Sequence, residues 1–364
     1  MKFRINSGLR VPFGRWALGL IFAGAVSMAL AADKPEFRIK YVSASPPSSQ
    51  TSVPIIWWAD QVEKRSKGRV KIDFFWSGSL VKGPDTLGAV SKGIVPMGKI
   101  YTVDYVGQMP LAQLANLPFT SDDVYVMQRA LSDMIKKYPS WQREFSRQNL
   151  VRLGGLATGT VHILSKTPVK TLGDLKGLSI RARGPQATVL KEMGAVPVSI
   201  AFGELYEAMD RGVVGSTIMY ELSIMPYKYN EVANNLTYVG LGQAMQAEVM
   251  NKDYYEALPE DVRKLLNDTM DDAHHWYAST FAEKLAKERE QMKTGTGTPK
   301  VNFYHLSDAD MHTWQQKAER VYTEWVQKNK KAGATPEMVE TFRKLIKKYE
   351  AEVKANGYPV VHAD

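Results

Sequence analysis

The sequence predicts an α/β protein with two lobes and a long helix that bridges both of them. A strand, a helix and a second strand follow one another over residues 37–74, the order that builds a doubly wound parallel sheet. Residues 174–212 show the same alternation of strand and helix. The helical pattern over 259–292 would extend about 50 Å at about 1.5 Å per residue, farther than one lobe.

The first 31 residues have the pattern of an export signal. Their positive charges, without any acid, lie at Lys2, Arg4, Arg10 and Arg15. An apolar stretch at 16–28 precedes Ala29-Leu30-Ala31, a cleavage pattern of small residues. This stretch is shorter than the about 20 residues of a bilayer span. We therefore predict a signal peptide at 1–31 and a periplasmic protein that begins near Ala32.

Composition restricts the partners and the chemistry. The chain has no cysteine, which excludes disulfides, thiolate metal sites, a cysteine nucleophile and a lipid-modified cysteine. The net charge of +9 includes the four basic residues of the signal, and the remaining charges mix both signs, as on solvated helix faces. Because no basic run is interleaved with aromatic residues, we expect no nucleic-acid partner. We expect a monomer.

The first elements of the mature chain each carry a local signal. Residues 37–41 alternate apolar and charged side chains, as a strand does, and lead into a polar turn. The helix that follows tolerates Pro54 in its first turn and ends before Gly68. Residues 70–74 then alternate as the second strand.

Residues 174–212 place an arginine where a strand ends. Residues 179–182 are extended in character, a helix follows, and 196–200 alternate as another strand. Ligands of open α/β sheets bind outside the carboxyl ends of the strands. There Arg181 could offer a planar fork of donors to a carboxylate. The spacing alone fits a surface arginine in a loop equally well.

Three short motifs surround this arginine. Residues 174–181 read DLKGLSIR, 194–198 read GAVPV and 202–209 read FGELYEAM. In this order they resemble the signature region of the solute-binding proteins of TRAP (tripartite ATP-independent periplasmic) transporters. Further matches cover nearly the whole mature chain, such as LPEDV at 258–262. The signature arginine of that family, which binds the ligand carboxylate, falls on Arg181.

The resemblance implies a periplasmic-binding-protein-like fold and a division into lobes. Lobe I is expected at 32–156 with a return segment at about 243–275, lobe II at 157–242 with about 276–330, and a C-terminal helix packing on the lobes at 331–364. Helical patterns at 307–330 and 336–354 close the chain.

The resemblance also assigns ligand-facing positions. They fall on Val42, Ser43, Tyr101, Val161, Arg181, Phe202 and Met219, and the neighbouring Tyr220 is expected to cover the body of the ligand. Sialic-acid-binding members have a glutamate in place of Tyr101, a second arginine in place of Val161 and an asparagine in place of Met219. This chain therefore keeps the signature arginine and the aromatic Phe202 but loses three polar contacts.

These departures predict a monocarboxylate with an apolar or aromatic body, such as a hydroxy, keto or aromatic acid. A buried polar group of a sugar acid or a dicarboxylate costs about 1–3 kcal/mol if it stays unpaired. In the alternative interpretation, Val161 and Met219 are core residues, and Thr158, Thr160 and Tyr105 supply the polarity. A four-carbon dicarboxylate or a sugar acid then remains open as the ligand.

We predict neither a metal nor a cofactor. His274 and His275 are adjacent on a helical pattern and point to different sides, whereas helical ligand pairs lie three or four residues apart. Asp271 and His275 have that spacing, which on a charged helix is more typical of a surface hydrogen bond. Some keto-acid-binding members use a cation beside the carboxylate, and Glu221 is the one residue that could serve such a cation.

The predicted function is that of a periplasmic solute receptor that binds an organic acid and delivers it to the membrane permease subunits of a TRAP transporter. The chain contains no G-x-S-x-G, H-E-x-x-H or G-x-x-x-x-G-K-[ST] motif, so we predict no catalytic residues and no enzyme. An exported hydrolase is thereby disfavoured. A sensory module that binds the same ligand is the other alternative.

Overall fold

The computed structural model describes residues 34–155 and 157–359, so the predicted signal peptide lies outside the described residues. The first part of the chain alternates strands and helices as predicted. Its elements are β1 (Phe37–Val42), α1 (Val53–Arg65), β2 (Val70–Phe75), α2 (Thr86–Ser91), β3 (Met97–Tyr101), α3 (Val124–Lys137), α4 (Pro139–Ser146) and β4 (Leu150–Gly154).

The middle of the chain contains the strands around the signature arginine. Its elements are β5 (Ala157–Ser165), β6 (Ser179–Arg181), α5 (Gly184–Glu192), β7 (Val196–Val198), α6 (Leu205–Asp210), β8 (Ser216–Tyr220), α7 (Glu221–Ile224), β9 (Asn235–Tyr238) and β10 (Gln243–Asn251). The last part is mainly helical: α8 (Lys252–Ala257), α9 (Glu260–Thr294), β11 (Asn302–His305), α10 (Asp308–Asn329) and α11 (Pro336–Asn356).

The strands form one 11-stranded sheet with the order β2-β1-β3-β10-β5-β8-β6-β7, and β4, β9 and β11 pair beside this path. We call β1, β2, β3 and β4 the first half of the sheet, and β5, β6, β7, β8, β9 and β11 the second half. Strand β10 pairs with strands of both halves. This is the α/β, two-lobed architecture that the sequence predicts.

The parallel sheet that the first strand–helix–strand unit predicts is not found in the centre of the molecule. Strands β1, β2 and β3 are parallel, as are β6, β7 and β8. Strand β10, however, runs antiparallel to β3, β4 and β5, and β5 runs antiparallel to β8 and β9. The sheet is therefore mixed, because the strands that join the two halves run against their neighbours. Local sequence patterns give the type of an element but not its direction.

Strand β5 is buried at all nine positions. Such a strand reads as a nearly continuous buried run because both of its faces are covered. Its polar residues Thr158, Thr160 and His162 are nevertheless satisfied by side-chain hydrogen bonds within the protein.

The predicted bridging helix is α9, which has 35 residues and ends at Gly295 in the left-handed conformation. Near its start, Trp58 of α1 donates to the carbonyl oxygen of Leu266 over 3.1 Å. Near its end, Arg289 donates two hydrogen bonds of 2.8 Å to the carboxylate of Glu221 in α7. Helix α1 belongs with the first half of the sheet, and α7 follows β8 of the second half. Helix α9 therefore contacts elements of both halves.

The last two helices return to elements near both halves. Lys317 of α10 donates to the carbonyl oxygen of Glu192 at the end of α5 over 3.0 Å, and Trp325 of α10 donates to that of Pro110 over 3.1 Å. Helix α11 packs against α3. The residue limits of the two lobes stay a prediction. No helix within residues 34–155 and 157–359 is long and apolar enough to cross a membrane.

Candidate functional site

A cavity of about 60 Å³ lies between the two halves of the sheet, where β3, β6 and β8 end. Six of the eight residues that the sequence assigns to the site line it, the exceptions being Val42 and Ser43. The lining consists of Tyr101, Val103, Val161, Arg181, Arg183, Gln186, Phe202, Ile218, Met219, Tyr220, Ala244 and Gln246. The structure thus brings together residues that are up to 145 positions apart in the chain, from Tyr101 to Gln246.

Arg181 is the last residue of β6, the position that the sequence predicts. The strand is held between β7 and β8, where Arg181 pairs with Val198 and Thr217. The Nε–H of Arg181 donates to the carbonyl oxygen of Ile200 over 3.0 Å, which fixes the plane of the guanidinium. This is its only side-chain hydrogen bond to the described residues, so both terminal nitrogens stay available toward the cavity.

The guanidinium of Arg181 is buried without a carboxylate partner. The residue is 7% exposed, and none of the ion pairs between described residues includes it. Burial, with a smaller contribution from the positive charge of the neighbouring Arg183, lowers the pKa of Arg181 to about 10. At neutral pH the group therefore carries a poorly compensated buried charge, which an anionic ligand would neutralise.

Arg183 also borders the cavity, but its charge is already paired. It forms an ion pair with Asp104, which lies in the short helical turn Thr102–Tyr105 that follows β3. The two side chains are only 18% and 8% exposed. Burial raises the pKa of Asp104, and the charges of Arg183 and Arg181 oppose this shift. The pair joins the two halves of the sheet directly beside Arg181.

Aromatic rings form one wall of the site. The rings of Tyr101 and Phe202 stack across the cleft with centroids 6.4 Å apart, and the guanidinium of Arg181 lies 5.9 Å from the centroid of Phe202. Tyr227 packs edge-on against Phe202 at 4.9 Å. The hydroxyl of Tyr101 is hydrogen-bonded to Ser45, which leaves mainly its ring for the cavity.

Apolar side chains of β5 and β8 form the opposite wall. Val161 lies directly across from Tyr220 in the antiparallel β5–β8 pair. Val161 and Met219 are almost fully buried, belong to the hydrophobic core and border the cavity at the same time. Both residues therefore contribute to packing as well as to the shape of the site.

Ser43 lies outside the cavity lining, contrary to the prediction. It is fully buried just after β1, and its hydroxyl oxygen accepts a hydrogen bond of 3.1 Å from the backbone N–H of Ser45. This local turn directs the hydroxyl to the backbone instead of the cleft. Val42, the other assigned position beside it, is fully buried in the core.

The residues of the alternative interpretation do not line this cavity either. The hydroxyl of Thr158 donates to the carbonyl oxygen of Gly159, and that of Thr160 donates to Asp122. The hydroxyl of Tyr105 donates to the carbonyl oxygen of Gly83 over 2.8 Å. Their polarity is used inside the fold, so they supply no contact to this cavity.

Three polar residues of the site, Arg183, Gln186 and Gln246, were not predicted from the sequence. Arg183 follows Arg181 by two positions in an extended segment, a spacing that places both side chains on one side. Gln246 is a polar residue in the middle of the largely buried strand β10. Both signals are present in the sequence, but only the pairing of β10 with β3 brings Gln246 to the cleft.

The candidate cation ligand Glu221 is occupied by an ion pair. Its two carboxylate oxygens each accept a hydrogen bond of 2.8 Å from Arg289. No group of three or more histidine, aspartate or glutamate side chains within the described residues is arranged to hold a metal ion. The residues that line the cavity include no carboxylate, so they offer a cation no anionic ligand.

Residues 44–329 match the family of bacterial extracellular solute-binding proteins, family 7. The chain belongs to this family. It is a TRAP solute-binding protein of the dicarboxylate-binding-protein-like type, a class that binds small organic acids and works with a TRAP permease. Family members and structural neighbours are solute-binding receptors rather than enzymes.

Three known proteins illustrate the similarity. The C4-dicarboxylate-binding protein DctB of Bacillus subtilis is 26% identical over 74% of this chain and 76% of its own length. A TRAP solute-binding protein of Rhodoferax ferrireducens, solved with copurified benzoate, superposes with a TM-score of 0.78 at 22% identity and covers 87% of this chain and 99% of its own. A marine metagenome TRAP protein specific for aromatic acids, solved with 3-hydroxybenzoate, has a TM-score of 0.79 at 20% identity and covers 87% and 100%.

Proposed function

We propose that this chain is a periplasmic receptor for a monocarboxylate, which it binds through Arg181 and delivers to a TRAP-type permease. The observation that carries the proposal is the buried guanidinium of Arg181, which has two free terminal nitrogens and no ion-pair partner among the described residues. A ligand carboxylate can accept two parallel hydrogen bonds from such a fork. Each charge-assisted bond contributes about 1.5–3 kcal/mol.

The remainder of the lining favours one carboxylate rather than two. Arg183, the other cation of the cavity, is neutralised by Asp104. A second ligand carboxylate would meet chiefly Val161, Ile218, Met219 and the aromatic rings, which cannot replace its hydration. A hydroxy, keto or aromatic acid avoids this cost, because its apolar body packs against the same side chains.

The known relatives support different members of the acid class. The structural neighbours with benzoate and 3-hydroxybenzoate favour an aromatic acid, whereas the named ligand of DctB favours a four-carbon dicarboxylate. We choose the monocarboxylate because Arg183 is already paired with Asp104 and offers no free cation to a second carboxylate. A dicarboxylate is the second candidate, since a ligand that displaced Asp104 from Arg183 would find a second cation there.

The proposed action depends on closure of the two lobes, with approximate limits 32–156 and 243–275 for the first and 157–242 and 276–330 for the second. Arg181 and Phe202 contribute from the second half of the sheet, and Tyr101 contributes from the first half. A ligand that contacts both sides favours the closed form by its differential affinity. The closed receptor then docks on the permease as a monomer, after export by the signal peptide at 1–31.

A thermal-shift screen of organic acids tests this proposal. Monocarboxylates (benzoate, phenylacetate, mandelate, pyroglutamate), dicarboxylates (succinate, malate) and a sugar acid (gluconate) are compared on the mature chain. A cognate monocarboxylate at about 100 times its Kd stabilises the fold by about 2.7 kcal/mol, or roughly 5 °C in melting temperature. A response to dicarboxylates with none to monocarboxylates would overturn the choice of ligand. Overnight turnover of a bound acid would favour an enzyme instead.

A further inference from the structure

Gln246 lines the ligand cavity from β10, the strand that pairs with both halves of the sheet. It lies in β10 directly opposite Tyr101 of β3. Directly opposed residues of an antiparallel pair project on the same face, so the amide of Gln246 lies on the side of the Tyr101 ring. Gln246 lines the cavity and is 0% exposed to solvent.

Both polar atoms of this amide lack a protein partner among the described residues. Oε1 and Nε2 of Gln246 are buried and form no hydrogen bond with any of them. The next residue on the same face of β10, Glu248, accepts a hydrogen bond of 2.7 Å from the hydroxyl of Tyr41 and lies 3.8 Å from the ammonium of Lys99. Glu248 is thus engaged with the interior. A buried amide without partners is costly, and a ligand group bound in the cavity that it lines would satisfy it.

We propose that Gln246 is a specificity-determining contact that recognises an uncharged group of the ligand able both to donate and to accept a hydrogen bond. This inference rests on the proposed function and narrows its ligand class. The ligand is a monocarboxylate that carries a hydroxyl or a cyclic amide on its body. Arg181 holds its carboxylate, and Gln246, which pairs with Tyr101 of the first half, binds the second polar group.

The chemistry of the amide excludes other ligand types. An amide offers one acceptor oxygen and two N–H donors. An ionised second carboxylate would accept from Nε2 but would place negative charge beside Oε1. A keto group accepts without donating and leaves Oε1 unpaired. A plain aromatic or aliphatic acid leaves both atoms unpaired, and sites built to bind a hydroxyl or N–H reject such analogues.

Gln186 provides a matched control within the same cavity. It is a buried glutamine of α5 that also lines the site, but its Nε2 already donates to the carbonyl oxygen of Leu241 over 3.1 Å. Replacing this residue changes the wall of the cavity without removing an unpaired amide. The replacement Gln→Met keeps the unbranched length and removes the polar atoms at either position.

The experiment measures Kd by calorimetry for two pairs of acids that differ chiefly in the second polar group. The pairs are mandelate with phenylacetate, and pyroglutamate with cyclopentanecarboxylate. We expect the wild type to bind the polar member of at least one pair about tenfold more tightly or better. Gln246→Met should reduce this preference to about twofold or less by weakening the polar member alone, and Gln186→Met should preserve it.

Three outcomes would overturn the inference. Equal affinity of the wild type for both members of each pair leaves the acid receptor intact but removes the role of Gln246. If Gln246→Met loses affinity equally for the polar and the apolar acid of a pair, the residue has a structural role. Absence of binding to all four acids also removes the role of Gln246, and if benzoate fails to bind as well, the monocarboxylate proposal itself is removed. If Gln246→Met does not fold, Gln246→Asn, which withdraws the amide by one methylene, should diminish the same preference, and an undiminished preference contradicts the inference.

Discussion

Arg183 and Asp104 form an ion pair across the cleft. Arg183 lies two positions after Arg181, the arginine with an unpaired guanidinium in the cavity. Both side chains are largely buried, and the contact joins the turn after β3 to the segment after β6. In an open form each group would regain water, so under the proposed closure we expect the ion pair and the bound ligand to occur together. We infer that the pair acts as a latch that lengthens the time the ligand stays bound.

Asp104→Asn should weaken ligand retention. The neutral amide leaves Arg183 without its counter-ion in the closed form, so the dissociation rate should rise about tenfold while the association rate changes little. Stopped-flow tryptophan fluorescence with the best acid of the screen measures both rates. Asp60→Asn is the control, because Asp60 belongs to an exposed pair with Lys64. A dissociation rate equal to that of the wild type would contradict the latch.

At the scale of residues, the predictability of the site follows the range of the interactions. Arg181 was predictable because its strand, its turn and its motif are all local in sequence. Ser43 was misplaced because the hydrogen bond that turns its hydroxyl onto Ser45 depends on backbone conformation, which the motif does not encode. Gln246 was missed because its position results from pairing with a strand 145 residues earlier in the chain.

At the scale of elements, the connection from β9 into β10 passes very close to the backbone of Leu117. Gly242 immediately precedes β10, has φ of +76°, and lies so close to Leu117 that a Cβ atom there would overlap the carbonyl oxygen of that residue. Its own carbonyl oxygen accepts from the N–H of Val161 over 2.9 Å. The backbone of β10 is therefore fixed against β5 at the edge of the ligand cavity.

Gly242→Ala should destabilise the protein more than an ordinary left-handed glycine does. The positive φ alone costs about 1–2 kcal/mol for an alanine, and the overlap with Leu117 adds backbone displacement. Gly177→Ala isolates the first term, since Gly177 has φ of +72° and a Cβ atom added there would meet nothing within 4 Å. In urea unfolding, Gly242→Ala should lower the free energy of unfolding by at least about 2 kcal/mol more than Gly177→Ala does. An equal decrease in the free energy of unfolding for both variants would contradict a costly overlap with Leu117.

The elements themselves were largely predictable, and their arrangement was not. Helix α9 follows from an uninterrupted helical pattern, and its 35 residues extend from a contact with α1 to one with α7. The antiparallel direction of β5 and β10 follows from long-range pairing, for which the sequence has no local signal. The parallel sheet expected from the first strand–helix–strand unit is therefore correct for each end of the sheet and wrong for its centre.

At the scale of the whole molecule, two buried histidines make the free energy of unfolding depend on pH. Burial lowers the pKa of His162 to about 4 and that of His274 to about 3, from an ordinary 6.5. The Nδ1 of His162 accepts hydrogen bonds from the backbone N–H groups of Val239 and Gly240, so it cannot take a proton without losing them. For His274, the nearby charge of Arg152 adds to the effect of burial.

Stability should fall as pH drops from about 6.5 toward about 4. In this range the unfolded chain binds more protons than the folded chain, so each histidine removes up to about 1.4 kcal/mol per pH unit. Urea unfolding between about pH 7 and about pH 4.5 measures this dependence. The free energy of unfolding should decrease less in the double variant His162→Gln, His274→Gln than in the wild type. The exposed His312→Gln serves as the control. An identical pH dependence in wild type and double variant would contradict this account.

Calorimetry of Arg181→Ala with the best acid of the screen tests the receptor mechanism most directly. Arg181 is expected to supply the main charged contact, so its removal should raise Kd by about 100-fold or more. Arg181→Lys should bind with intermediate affinity, because lysine keeps the charge but lacks the planar fork. Thermal unfolding of each ligand-free variant confirms that the fold persists. An affinity of Arg181→Ala equal to that of the wild type would show that the carboxylate binds elsewhere.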